Sequence, residues 1–207
     1  MSEHYFTDDP SSAHALRAVS LRCGERLLAC QTDAGVFSRG RLDPGSALLL
    51  EAIYAEAPAD FAGRALDLGC GWGAVGLSLA CRYPLAELVL CDSNRRALAL
   101  AEANLARNRL RATCVLSDGF AELTGRFALV ATNPPIRAGK AVIYRLFDES
   151  RERLEAGGAL FVVMRKQQGA PSALARLRER FDTAGVTARG GGYWVIRAGV
   201  GGGTVES

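Results

Sequence analysis

The sequence predicts an α/β fold, a doubly wound and mostly parallel sheet covered by helices on both faces. Three observations carry that expectation. From residue 64 onward, short apolar runs alternate with segments of helical periodicity. The runs are apolar throughout rather than at every second residue, as strands buried on both faces are. The residues hardest to explain as mere structure are a glycine cluster, several aspartates and an Asn-Pro-Pro. They gather where strands end, at the edge where such sheets bind ligands.

Taken in order, RALDLG (64–69) is a short strand ended by glycine, and GAVGLSLACR (73–82) is a helix stopped by Pro84. ELVLCD (87–92) is the next strand, after which Ser93 or Asn94 can cap the helix RRALALAEANLARN. ATCVLS (112–117), FALVATN (127–133) and ALFVVMR (159–165) read as further strands. A helix through 141–156, closed by Gly157-Gly158, joins the last two. A helix at 171–183 and strands near 186–189 and 192–198 complete the pattern. Upstream, VSLRCGERLLACQT (19–32) reads as a hairpin turning at Gly24, followed by GVFSRGRLDPGS and a helix in ALLLEAIYAEA. We therefore expect residues 1–60 to form an N-terminal extension packed on the core, 61–199 the main domain and 200–207 a flexible tail.

Composition narrows the class. The chain has 207 residues, 49% of them apolar, enough for one domain with a real core. It has no apolar run of the roughly 18–20 residues a membrane span needs, and its start, MSEHYFTDDPSS, is too polar for an export signal. A cytoplasmic protein with no membrane association is expected. Six cysteines never form a CxxC pair and only His4 and His14 accompany them, so reduced, mostly buried thiols are expected and no metal site. Charge is uneven: residues 1–100 carry 9 Lys/Arg against 12 Asp/Glu, and residues 101–207 carry 16 against 10. A basic C-terminal half suits an anionic partner.

DLGCGWGAVG (67–76) leaves the first core strand and opens a helix. Gly71, Gly73 and Gly76 satisfy GxGxxG, which alone admits two cofactor classes. A dinucleotide would lay its pyrophosphate on the helix N-terminus. S-adenosylmethionine carries instead an ammonium that Asp67 can pair with. Asp92, ending the second strand, can accept both ribose hydroxyls in either class, and Asp118 in LSDGF stands where an adenine amino group is read.

ATNPPIRAGK (131–140) ends a strand with two prolines, which donate no backbone hydrogen bond and stiffen the chain. The amide oxygen of Asn133 and the carbonyl of Pro134 can both accept from an exocyclic NH2. That points the nitrogen lone pair at a methyl group and favours the positive charge developing there. No Ser/His/Asp set suggests another chemistry. Arg137 and Lys140 follow at once, and Arg165 and Lys166 reach the same edge; all can meet phosphates beside an extruded base.

DLGCGWG, the acid of LCD, SDGF and NPP, in this order, resemble class I S-adenosylmethionine-dependent methyltransferases, and more narrowly the small methyltransferase domain that modifies planar nitrogens. TDAGVFSRGRLDPGSALLLEAI (32–53), SDGF and NPPIRAGK resemble the bacterial 16S ribosomal RNA guanine-N2 methyltransferases and their short relatives. The resemblance runs from about Tyr5 to GGYWVIRA (191–198). It implies a Rossmann-like, seven-stranded sheet whose last strand is antiparallel, and S-adenosylmethionine as cofactor. It implies that Asp67, Gly69, Gly71 and Gly73 hold the methionine part, Asp92 with Ser93 the ribose, and Asp118 with Gly119 the adenine. Asn133, with Pro134 and Pro135, would face cofactor and target amine together, and Ile136, Arg137 and Lys140 would meet the substrate. GVFS and Leu42–Ser46 would close over the cofactor. Two departures stand out: the position after the prolines, usually aromatic, is Ile136, and the duplicated N-terminal domain of full-length members is missing.

The implied partner is ribosomal RNA or the small ribosomal subunit, with the chain a monomer or a homodimer. The rival readings are a glutamine-N5 methyltransferase acting on a release factor, an adenine-N6 methyltransferase and, from another class, an NAD-dependent oxidoreductase. Ile136 fits the first two poorly, and the last leaves Asn-Pro-Pro without a role. A cofactor-binding scaffold without catalysis is a further reading, against which an intact Asn133 argues.

Overall fold

The computed structural model describes residues 15–33 and 42–202. GVFS at 35–38, both histidines and the last five residues lie outside them. The elements in chain order are strands β1 (Arg17–Cys23) and β2 (Arg26–Thr32), helix α1 (Pro44–Glu56), β3 (Arg64–Leu68), α2 (Ala74–Arg82), β4 (Glu87–Asp92), α3 (Arg95–Asn108), β5 (Thr113–Leu116) and β6 (Phe127–Thr132). Then come α4 (Lys140–Arg153), β7 (Leu154–Arg165), α5 (Ala170–Arg180), β8 (Thr183–Gly190) and β9 (Tyr193–Gly199), with one-turn 3-10 helices at Ile136–Ala138 and Lys166–Gln168.

β3 to β9 form one seven-stranded sheet in the order β5-β4-β3-β6-β7-β9-β8. All pairings are parallel except those of β9, which runs antiparallel between β7 and β8. The last strand in the chain is thus the antiparallel one. Alternate residues of each strand enter opposite cores. Ala65, Leu90, Leu129, Phe161 and Val195 pack with α1, α2, α3 and the β1–β2 hairpin. Leu66, Val89, Val130, Leu160 and Ile196 pack with α4 and α5. Burial on both faces is why these strands read as continuous apolar runs.

The hairpin, turning at Gly24 as expected, is tied to α3 by two asparagines one helical turn apart. Asn104 accepts from Gln31 N at 2.7 Å and donates to Gln31 O at 2.8 Å, and Asn108 makes the same pair of bonds with Ala29 at 2.9 Å each. A side-chain amide matches the donor and acceptor of a backbone peptide, so α3 stands in for a neighbouring strand. At the end of β2, Asp33 is 2% exposed and accepts from Arg96 Nε at 2.8 Å.

Several element boundaries differ from expectation, among them the start of β8, at Thr183 rather than near 186. The helix expected to reach residue 156 stops at Arg153, because buried Leu154 already pairs with Phe127 in the sheet. Arg126 also takes up the carbonyls of Glu152 and Leu154, each at 2.9 Å. Gly157-Gly158 lies inside β7, where the pairing with β6 shifts register, and not at a helix end. α5 ends at Arg180 rather than 183, with Phe181 buried beyond it. No helix among the described residues is long and apolar enough to cross a membrane.

Candidate active site

The carboxyl ends of β3, β4, β5 and β6 bring the sequence-predicted residues to one edge. After β3, Gly69, Gly71 and Gly73 have φ of +75°, +56° and +91°. Gly73 is the left-handed residue that starts α2, and no side chain caps it there. A side chain at that φ would be strained, and a Cβ would meet Leu77 Cδ1 at 2.5 Å. The loop is pinned from β4: Gly69 N and Cys70 N donate to Cys91 O at 2.9 Å each, and Gly71 N donates to Asp92 Oδ2 at 2.8 Å. Trp72 is packing: it is 1% exposed, and its carbonyl accepts from Asn104 Nδ2 at 3.0 Å.

Asp67 is buried on the α2 side of the sheet, where its Oδ2 accepts from Gly76 N at 2.7 Å. Burial pushes its carboxyl up to about 7, with the Gly76 amide opposing and the nearby Asp92 adding to the rise. Asp92 is raised too, first by burial, against which the amides of Asn94, Gly71 and Ser93 act. Two acids in a dry niche, with no cation beside them among the described residues, suit a ligand that brings an ammonium and paired hydroxyls. The residues therefore fit the methionine amine and the ribose of S-adenosylmethionine. Asn94, not Ser93, caps α3, accepting from Arg96 N at 2.9 Å.

Asp118 follows β5 and is exposed, with Oδ1 held by Arg145 Nη2 of α4 at 2.7 Å. Ser117 N donates to Asp92 O at 3.0 Å, so the ends of β4 and β5 are linked, and beside Asp118 the Gly119 carbonyl accepts from Ser117 Oγ at 2.9 Å. Asp118 stands at the right edge, but its side chain is partly engaged by an arginine that sequence reasoning did not supply.

Asn133 follows β6, whose Thr132 pairs with Leu68 of β3, so it stands next to the glycine loop. Its Nδ2 donates to Asp43 Oδ2 at 3.1 Å and to Ser46 Oγ at 3.0 Å. Among the described residues nothing donates to Asn133 Oδ1 or to the carbonyl of Pro134, whereas Pro135 O accepts from Ala138 N at 2.9 Å. The two acceptors named from the sequence, Asn133 Oδ1 and Pro134 O, are thus both open among the described residues. Asp43 and Ser46 belong to Leu42–Ser46, which was expected over the cofactor; here they meet Asn133. Ile136 turns toward α4 and lines, with Lys140, Ile143, Tyr144 and Met164, a cavity of about 210 Å³.

Fold and site together define a methyltransferase domain of Rossmann-like architecture. The profile of the methyltransferase small domain family matches residues 28–197, and the chain belongs to that family. It is 39% identical to the uncharacterized protein YbxB of Bacillus subtilis over 201 residues, 96% of this chain and 98% of that one. It is 41% identical over 133 residues to the ribosomal RNA small subunit methyltransferase C of Actinobacillus succinogenes, covering 62% of this chain and 39% of the relative. Among solved structures, the T. thermophilus 16S rRNA N2 methyltransferase RsmC, in complex with AdoMet and guanosine, matches with a TM-score of 0.82 at 30% identity. That match covers 93% of this chain and 52% of RsmC. The chain therefore spans about half of the methyltransferases it resembles and nearly all of YbxB.

Proposed function

We propose that this chain is an S-adenosylmethionine-dependent methyltransferase that methylates N2 of a guanine in 16S ribosomal RNA. The observation that carries the reading is the pair of open acceptors, Asn133 Oδ1 and Pro134 O, at the end of the strand beside the glycine loop. Bound there, S-adenosylmethionine supplies an electrophilic methyl that needs no further activation. Asp67 holds the amino end of the cofactor and Asp92 the ribose, which fixes the direction from which the methyl is offered. Asn133 and Pro134 take the two hydrogens of an exocyclic amine, aim its lone pair, and stabilise the charge that grows on nitrogen. Once methylated, the nitrogen is cationic and acidic, and it gives up its proton to solvent.

Charge supports an RNA acceptor. Arg137, Lys140, Arg165, Lys166 and Arg189 are all exposed and stand at or beyond the carboxyl ends of β6, β7 and β8. None of the five has an acidic partner among the described residues. Other arginines of the C-terminal half are paired with acids: Arg145 with Asp118, Arg151 with Asp182, and Arg176 and Arg180 with Asp148. Part of the positive charge of the C-terminal half thus stands, without an acidic partner among the described residues, on the edge that carries Asn133, where phosphates would flank an extruded base. The likeness to RsmC supports guanine N2 over the other planar nitrogens.

The test is transfer of radiolabel from S-adenosylmethionine to bare 16S RNA, to assembled small subunits, or to a release factor. Label recovered as N2-methylguanosine is expected. Label in protein alone, or in N6-methyladenosine, overturns the assignment.

A further inference from the structure

The geometry points to Asp43 as the positioning residue that makes this site select an amine, because it dictates which end of the Asn133 amide faces the substrate. The inference rests on the proposed amine acceptor and deepens it. Asp43 lies 90 residues before Asn133 and begins α1. Its Oδ2 accepts from Gly45 N at 3.0 Å, Ser46 N at 3.2 Å and Asn133 Nδ2 at 3.1 Å, and its Oδ1 accepts from Tyr193 OH at 3.3 Å.

An ionised carboxylate only accepts hydrogen bonds. The Asn133 atom beside it must therefore be the NH2. The second hydrogen of that NH2 goes to Ser46 Oγ at 3.0 Å. Both donors of the amide are then used on α1, and its oxygen is what remains for a ligand. A flipped amide would set its oxygen against a carboxylate and offer NH2 to the substrate, a donor suited to a carbonyl. Asp43 thus makes the site accept NH2 groups and refuse carbonyl oxygens. The arrangement is tight: a Cβ on Gly45 would come within 2.7 Å of Tyr193 Cε1 and 2.8 Å of Asp43 Oδ2. Arg165 stacks on the other side of the network, 4.5 Å from the Tyr193 ring centre, so α1, β6 and β9 meet at one carboxylate.

Asp43 also caps α1, and the experiment has to separate the two roles. Serine caps helices as well as aspartate does, but its side chain is too short to reach Asn133 and Tyr193. Asparagine keeps both: its oxygen can cap and receive Asn133, and its NH2 can donate to the Tyr193 hydroxyl. We expect Asp43→Asn to keep kcat with small-subunit particles within about threefold. Asp43→Ser should lose about 10–100-fold, the scale of a misaligned acceptor, with the Kd for S-adenosylmethionine unchanged in both. A second readout needs no RNA. In 15N spectra, the side-chain NH2 of Asn133, identified by its loss in Asn133→Ala, should exchange slowly in wild type and Asp43→Asn and rapidly in Asp43→Ser. Equal turnover, or equal exchange, in the serine and asparagine variants reduces Asp43 to a helix cap and overturns the inference. If wild type labels no RNA, the rRNA reading fails, and the exchange measurement still decides the role of Asp43.

Discussion

Asp92 at the end of β4 reaches back 21 residues to Gly71, accepting its backbone N–H at 2.8 Å, so the acid read as the ribose partner also holds the glycine loop in shape. Its other oxygen accepts from Asn94 N at 2.8 Å. Each oxygen keeps a lone pair for a hydroxyl. Asp92→Ala should therefore remove a ligand contact and loosen the loop together, weakening S-adenosylmethionine binding by at least about 10-fold in calorimetry, the loss of one or two charge-assisted hydrogen bonds.

Asn133→Ala should behave oppositely. On the proposed reading its open oxygen takes a hydrogen of the acceptor amine, so turnover should fall by about 10²–10³, the scale of a lost transition-state hydrogen bond. Cofactor affinity stays within about threefold of wild type. Single-turnover transfer measured beside calorimetry separates the two, and equal effects from both variants would mean that the site has been misplaced.

The buried Asp67 makes the protein pH-sensitive. Its carboxyl titrates near 7 when folded against an ordinary value of 3.8. Between those values the folded chain keeps a proton that the unfolded chain has lost, so without cofactor stability falls as pH rises from about 4 to about 7, by roughly 4 kcal/mol at most. An ammonium beside Asp67 favours the carboxylate, so binding releases a proton below pH 7 and affinity rises toward neutrality. Calorimetry at pH 6 in two buffers of different ionisation enthalpy should detect that proton, and Asp67→Asn should abolish it. Proton-neutral binding by wild type would contradict the role given to Asp67.

The join between hairpin and core depends on Asp33 and Arg96, whose side chains are 1% and 10% exposed. Removing either takes the ion-pair partner from a buried charge, a change worth about 3–5 kcal/mol. Arg96→Ala should lower the urea midpoint by a corresponding amount. A loss below about 1 kcal/mol, the worth of an exposed pair, would show that the junction carries little stability.

The cationic edge predicts salt-dependent RNA binding. Arg165→Ala and Lys166→Ala together should weaken RNA uniformly across sequences and reduce the slope of log K against log salt by about two. The same substitutions at Arg176 and Arg180, which pair with Asp148, should leave that slope unchanged.

The sheet was legible in the sequence because burial on both faces writes itself as uninterrupted apolar runs, and the glycine loop because its backbone excludes other residues. The α3 boundaries were legible for a similar reason, Asn94 and the helical spacing after it marking both the start and the face. What could not be read was contact between distant segments. Nothing local in RLDPGS announces that Asp43 will meet Asn133, nor in ANLARN that Asn104 and Asn108 will receive the edge of β2; both depend on the sheet order. The end of α4 was misread because Gly157-Gly158 is an ordinary helix stop, and only the pairing of Leu154 with Phe127 reveals that the strand has already begun.

The most direct test of the central claim is a crystal structure with S-adenosylhomocysteine and guanosine. The account predicts the sulfur beside the glycine loop and the guanine N2 within hydrogen-bond distance of Asn133 Oδ1 and Pro134 O. A methyl placed on that sulfur would then stand about 3–3.5 Å from the nitrogen. A sulfur out of reach of Asn133, or a guanine presenting its O6 or a ring nitrogen to that oxygen, would contradict it.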